Sequence, residues 1–125
     1  MEIKEYHKLI DQNPELTTDG FGVNTDRYKT EAELRAAFIR DREEIYTKCQ
    51  EFQSCVDFLT ENPHIAEYKH SYNLKHDVEQ WIEDSGQRRP WIPQGVFILS
   101  AIYMGYKIRR EPGWHGAWFS EYPVK

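Results

Sequence analysis

The chain has few of the residues that announce a chemistry. Cysteine occurs twice, at Cys49 and Cys55. Six helical residues apart, at ~100° each, they face roughly 240° away from one another, which forbids a mutual disulfide. Reduced, buried thiols are the expectation. Neither a Cys-x-x-Cys pair nor a His-Glu-x-x-His run is present, and without such spacing the usual zinc sites have no ligand set. No apolar run approaches the ~20 residues of a membrane span. The start, Met1-Glu2-Ile3-Lys4-Glu5, is already charged, so no membrane segment and a cytoplasmic location are expected. Internal repeats and low-complexity tracts are lacking. Positive charge is in deficit: the net charge is -5, and such a field repels a polyanion at long range.

What is present suits one core. At 125 residues, with 39% hydrophobic and 14% aromatic side chains, the chain reads as a single domain, 1–125, able to offset the entropy of ordering. Residues 1–29 read as an N-terminal helix and loop that need be only loosely attached. The charge is uneven. Residues 1–62 carry 14 acids and 8 bases, residues 63–125 carry 7 acids and 8 bases, so an anion-facing surface would lie in the second half.

Ile3, Tyr6, Leu9 and Ile10 have helical spacing and stop before Asn13-Pro14. The stretch from Glu15 to Lys29, rich in turn formers, reads as a surface loop pinned by Phe21 and Val23. Thr30-Glu31-Ala32-Glu33 is a capping box. The apolar register from Leu34 through Phe38, Ile45, Cys49, Phe52 and Val56 to Leu59 then predicts one long helix over 31–61 or two packed ones; periodicity does not separate these. Ser71 is the candidate N-cap of a helix carrying Leu74, Val78, Trp81 and Ile82, stopped at Ser85-Gly86. Pro93 starts a third helix to Met104, apolar nearly all round and so expected at the centre. Residues 106–122 read as a C-terminal β-hairpin around Glu111-Pro112-Gly113. The fold class is therefore α+β, mainly α: helices around a central apolar helix at about 93–104, with that hairpin.

The order of helices and hairpin resembles a winged helix-turn-helix, with Lys107, Arg109 and Arg110 near the wing. A recognition helix must offer polar side chains to base edges, and Pro93–Met104 offers only Gln94, Ser100 and Tyr103. Duplex DNA is accordingly not an expected partner, and Arg109 and Arg110 also suit a solvated strand edge. His64, His70 and His76, with Glu79 one turn after His76, invite a metal reading, but the spacing is better met by a helix-surface pair of His76 and Glu79. Cys55 or Ser71 could serve as nucleophile only beside an oriented base such as His76; Cys55 lies among apolar positions and Ser71 has a sufficient role as a cap. No catalytic residue, metal or cofactor is predicted.

Lys69, His70, Tyr72, Lys75, Arg88 and Arg89, around which Trp81, Trp91 and Trp114 could gather, combine the residue types enriched at interface hot spots and on nucleic-acid stacking surfaces. The same aromatics could equally fill the core beneath Arg stems.

Ser71-Tyr72-Asn73-Leu74-Lys75-His76-Asp77-Val78-Glu79, followed by Gly95-Val96-Phe97-Ile98-Leu99-Ser100-Ala101-Ile102-Tyr103-Met104-Gly105-Tyr106, resembles small uncharacterised proteins of bacterial plasmids, prophages and integrative elements. Their pattern reads S-Y-x-L-K-H-x-x-E, then G-x-F-I-x-A-A-I-x-x-G-F. Ser100 stands here for Ala and Tyr106 for Phe. The resemblance implies an accessory protein of a mobile element that works by its surface, blocking a host defence complex or regulating the element. A non-catalytic interaction protein is thus expected, contacting a protein or nucleoprotein complex through Lys75, His76, Arg88, Arg89, Arg109, Arg110 and Trp114. The alternatives are a nucleic-acid-binding accessory protein using the basic second half and, further off, a metal-dependent enzyme.

Overall fold

The computed structural model describes residues 2–110 and 113–119. Among these residues the chain is α+β and mainly α, with five α-helices and short antiparallel strand pairs. The first helix, α1 (Ile3–Asp11), buries Tyr6 and Ile10 one turn apart. Asn13 ends it by donating its side-chain amide to the Leu9 carbonyl at 2.8 Å. Residues 15–29, expected as a surface loop, instead hold a minimal hairpin of β1 (Leu16–Thr17) and β2 (Gly20–Phe21) in which Leu16, Thr17, Thr18 and Gly20 are buried. A 3-10 turn follows over Thr25–Arg27. The N-terminal segment is thus part of the core rather than a loosely attached appendage.

Two long-range ties explain that docking. The Arg42 guanidinium donates to the carbonyls of Asn13, Leu16 and Ile10 at 2.9, 2.8 and 2.8 Å, matching the negative end of α1 with a fixed cation. At the other side Gly95 donates its amide to Thr18 at 3.0 Å. That approach requires glycine: a Cβ on Gly95 would lie 1.6 Å from the Thr17 carbonyl oxygen.

Thr30 caps α2 (Glu31–Ile45) by accepting from the Glu33 amide at 3.1 Å. The apolar register of 31–61 resolves into two helices, α2 and α3 (Cys49–Glu61). Between them Thr47 takes the Glu44 carbonyl with its own hydroxyl at 2.7 Å, a local alternative to continuing the ladder, and His7 bonds the Tyr46 carbonyl at 3.0 Å. The helix α3 buries Phe52, Cys55, Phe58 and Leu59 against the central α5 (Gln94–Met104). Every residue of α5 from Gln94 to Ala101 is buried, and Gly105 ends it in the left-handed region at φ 91, where glycine carries no Cβ penalty.

The helix α4 (Ser71–Asp84) lies against α5 and the final strands. The strands β3 (Ile108–Arg110) and β4 (Ala117–Phe119) pair antiparallel, with Arg109 opposite Trp118. On its other side β4 bonds the connector before α4, through Tyr68 to Phe119 and Phe119 to Lys69. Residues 111–112 and 120–122 of the expected hairpin lie outside the described residues. No helix among the described residues is long and apolar enough to cross a membrane.

Substituting Gly95→Ala should force the β1–β2 hairpin off α5, since a backbone carbonyl cannot yield as a side chain does. The expected loss is about 2 kcal/mol or more by chemical denaturation, with faster amide exchange at Phe21 and Gly22. A change within about 0.5 kcal/mol, the level of a surface substitution, would show that the hairpin is not held there.

Candidate functional site

The site is built on a polar stripe of α4. Ser71, Lys75 and Glu79 recur every four residues and so share one face, beside the buried Leu74, Val78 and Ile82. Ser71, expected as the N-cap, is instead the first helical residue; the cap is His70, whose Nδ1 accepts from the Tyr72 amide at 2.9 Å. The Ser71 hydroxyl is committed elsewhere. It donates to Gln94 Oε1 at 2.8 Å and accepts from the Ala117 amide at 3.0 Å. Gln94 passes the connection on, donating to the Asp19 carbonyl at 2.8 Å. One hydroxyl thereby joins α4, α5, β4 and the N-terminal hairpin loop.

Glu79 makes the second junction. It is 4% exposed, not the surface partner of His76 that helical spacing suggests. Lys75 Nζ donates to its Oε2 at 3.3 Å, His76 Nδ1 to its Oε1 at 2.8 Å and the Ile92 amide to its Oε2 at 2.8 Å; the Arg89 guanidinium stands 3.6 Å away. Burial pushes this carboxyl up, but the Ile92 amide, His76 and Lys75 together outweigh it and hold Glu79 below its ordinary value of 4.5. The Ile92 bond also fixes the extended segment that carries Trp91.

These junctions frame a cleft of about 530 Å³. Tyr72 and Lys75 of α4, Trp91 and Gln94 before and at the start of α5, Thr18, Asp19, Asn24 and Arg27 of the N-terminal loop, and Trp114 and His115 line it. Trp114 lies against His70 with ring centres 4.0 Å apart. Gly116 makes room, since a Cβ there would come within 2.8 Å of Trp114 and 2.9 Å of His70. The His115 carbonyl accepts from the Phe21 amide at 2.7 Å, closing the cleft over the hairpin. Trp91 has Lys48 Nζ 5.2 Å from its ring centre. Beyond Trp114 and His115 a second hollow of about 430 Å³ runs over Phe21, Leu34, Phe38 and Arg110.

Of the residues predicted to contact a partner, the structure brings Lys75 and Trp114 together in the cleft. Arg110 pairs with Glu15, lies over the Phe21 ring and lines the neighbouring hollow. His76 and Arg89 surround Glu79, Arg89 also bonding Gln80 at 2.9 Å. Arg88 and Arg109 border separate hollows, the first with Gln87 and Pro90, the second with Tyr68 and Trp118. Trp81 leaves the aromatic group to pack on Phe58 at 5.5 Å. Cys55 is fully buried, and burial pushes its thiol up, away from the reactive thiolate. Among the described residues no three His, Cys, Asp or Glu side chains group as metal ligands would. Sequence reasoning missed Asp19, Asn24, Arg27 and His115, loop residues with no periodic signal; the turn formers around Gly20 marked only that a loop exists.

Because the Glu79 carboxyl titrates lower in the folded chain, its stabilising contribution is complete above about pH 4.5 and is lost as pH falls through the folded value. Glu79→Gln should cost about 3 kcal/mol at neutral pH, since it leaves the Lys75 ammonium buried and unmatched, and should flatten the acid limb of the stability curve. Denaturation from neutral to acid pH checks both; an unaltered acid limb would contradict the role given to Glu79. In comparison with known proteins, no family model, no curated protein and no solved structure matches this chain, so the functional reading rests on these residues.

Proposed function

We propose that this is a non-catalytic interaction protein of a phage or mobile element, which binds a host or element macromolecule, a protein or nucleoprotein complex, through the face around the cleft, and which acts by antagonising a host defence complex. The observation that carries the reading is the exposure of large aromatics at a polar, cationic rim. Tyr72 and Trp91 are each 54% exposed and stand with Trp114, Lys75 and Arg27 around one concavity. Solvent-facing Trp and Tyr beside cations are the side chains that dominate interface energetics. The mobile-element assignment is supported by the pattern Ser71 to Glu79, whose Tyr72 and Lys75 line the cleft.

Duplex recognition by the basic second half finds less support. The helix that would enter a groove, α5, is buried over Gln94–Ala101, and Arg89 and Arg110 are spent on Glu79, Glu83 and Glu15.

Capture of interacting macromolecules from bacterial lysate, compared between the wild type, Tyr72→Ala, Trp91→Ala and Arg88→Ala, tests the reading. Removing either aromatic should weaken the specific interaction by about 2 kcal/mol, roughly thirtyfold, while Arg88→Ala leaves it unchanged. Equal capture by all four, or micromolar duplex binding that collapses with salt, would overturn it.

A further inference from the structure

The Lys75 ammonium is under-used. It is 7% exposed, yet of its three N–H donors one meets a hydrogen-bond acceptor among the described residues, the Glu79 carboxylate at 3.3 Å, with the Tyr72 ring centre 5.8 Å away. A buried ammonium ordinarily satisfies its donors, and this one borders the cleft. At the rim Arg27 makes no side-chain ion pair or hydrogen bond among the described residues. The net charge of -5 does not oppose a local anion, since at physiological salt exposed charges are screened beyond about 8 Å. The lining of the cleft therefore includes two cations with donors to spare, beside an Asp19 carboxylate that already accepts from the Asn24 amide.

The same lining offers π-faces. Tyr72 and Trp91 are half-exposed, and Trp114 joins them in the lining, packed on His70. An aliphatic acidic side chain would meet the cations and leave these rings unmatched. A planar heteroaromatic ring that carries an anionic group uses both, because aromatic side chains stack on any base and cations meet its phosphate. The volume, about 530 Å³, falls within the range of small-ligand sites, roughly 300–1,000 Å³. Asn24 adds an amide at the wall.

We propose that the cleft binds a single nucleotide unit, its base against Tyr72, Trp91 and Trp114 and its phosphate at Lys75 and Arg27. This deepens the interaction reading, on which it rests, by naming what the partner presents: an unpaired nucleotide of a nucleoprotein complex, or a free nucleotide of the same chemistry. A base stacked inside a duplex has both faces covered by its neighbours, so duplex interiors are excluded from the cleft.

The test is a titration of the full chain with adenosine monophosphate, adenosine, inorganic phosphate, a short oligothymidylate and an oligoglutamate, followed by tryptophan fluorescence and by the indole N–H resonances. Adenosine monophosphate should move the Trp91 and Trp114 resonances and bind at least about tenfold tighter than adenosine or phosphate alone. Trp91→Ala and Arg27→Ala, both at exposed positions and so expected to keep the wild-type melting temperature, should each weaken it about tenfold. Tighter binding of oligothymidylate than of the mononucleotide assigns the site to a strand, and the reverse order to a free nucleotide; both sustain the proposal. No response to either at millimolar concentration, a response unchanged in Trp91→Ala, or a stronger response to oligoglutamate overturns it. If lysate capture still depends on Trp91 in that case, the interaction reading survives and only the nucleotide assignment falls.

Discussion

An ion taken out of water costs several kcal/mol unless its charge and lone pairs are matched, and the fold places the Glu79 carboxylate where that requirement is strict. It is met by four groups on two elements: Lys75 and His76 on its own helix, the Ile92 amide and Arg89 on the segment leading into α5. Apolar contacts alone would let α4 slide along α5, since hydrophobic burial is non-directional. The Glu79 bonds outside its own helix remove that freedom, because sliding α4 would carry the carboxylate away from the Ile92 amide and Arg89. A buried ionic group used in this way sets position more than it adds stability.

The same stripe positions the cleft. Ser71, two turns before Glu79, reaches Gln94 and Ala117, and Gln94 reaches the Asp19 loop. His70 caps α4 and presents its ring to Trp114. The Ile92 bond holds the residue after Trp91. Each wall of the cleft is therefore one or two hydrogen bonds from α4, and the surface that the protein offers to a ligand is set by buried polar chemistry beneath it. This also accounts for the spacing Ser71, Lys75, Glu79: a four-residue period keeps all three on one face, where alternation with Leu74 and Val78 gives the helix its apolar contact.

Much of the scaffold was legible because its signals are local. The apolar run Val96–Ile102 marks the central helix, buried over Gln94–Ala101, Gly105 marks its end, and Thr30 with Glu33 marks the start of α2. Other features depend on partners distant in sequence. The break between α2 and α3 is marked by the Thr47 and His7 bonds to the Glu44 and Tyr46 carbonyls inside an unbroken apolar register, so periodicity leaves it open. The hairpin at Leu16–Phe21 has strands of two residues, too short for alternation to register, and its burial follows from Arg42 and Gly95. Ser71 has the better capping side chain, but its hydroxyl is taken by Gln94 and Ala117, which leaves the cap to His70. In the site, Lys75, Tyr72, Trp91 and Trp114 stood out by residue type. Arg27, Asn24, Asp19 and His115 join them only once the chain has folded, and the dispersal of Arg88 and Arg109 is equally a matter of tertiary placement.

The claim that α4's polar stripe holds the cleft together is tested most directly by amide hydrogen exchange on Ser71→Ala. The substitution leaves the Ala117 amide and the Gln94 side chain without their buried partner, a cost of about 1–3 kcal/mol. The account predicts lost protection at Ala117 and, through Gln94, in the loop from Thr18 to Gly22, with α3 and the centre of α5 unchanged. Loss confined to the first turn of α4, or a uniform loss across the whole chain, would contradict it.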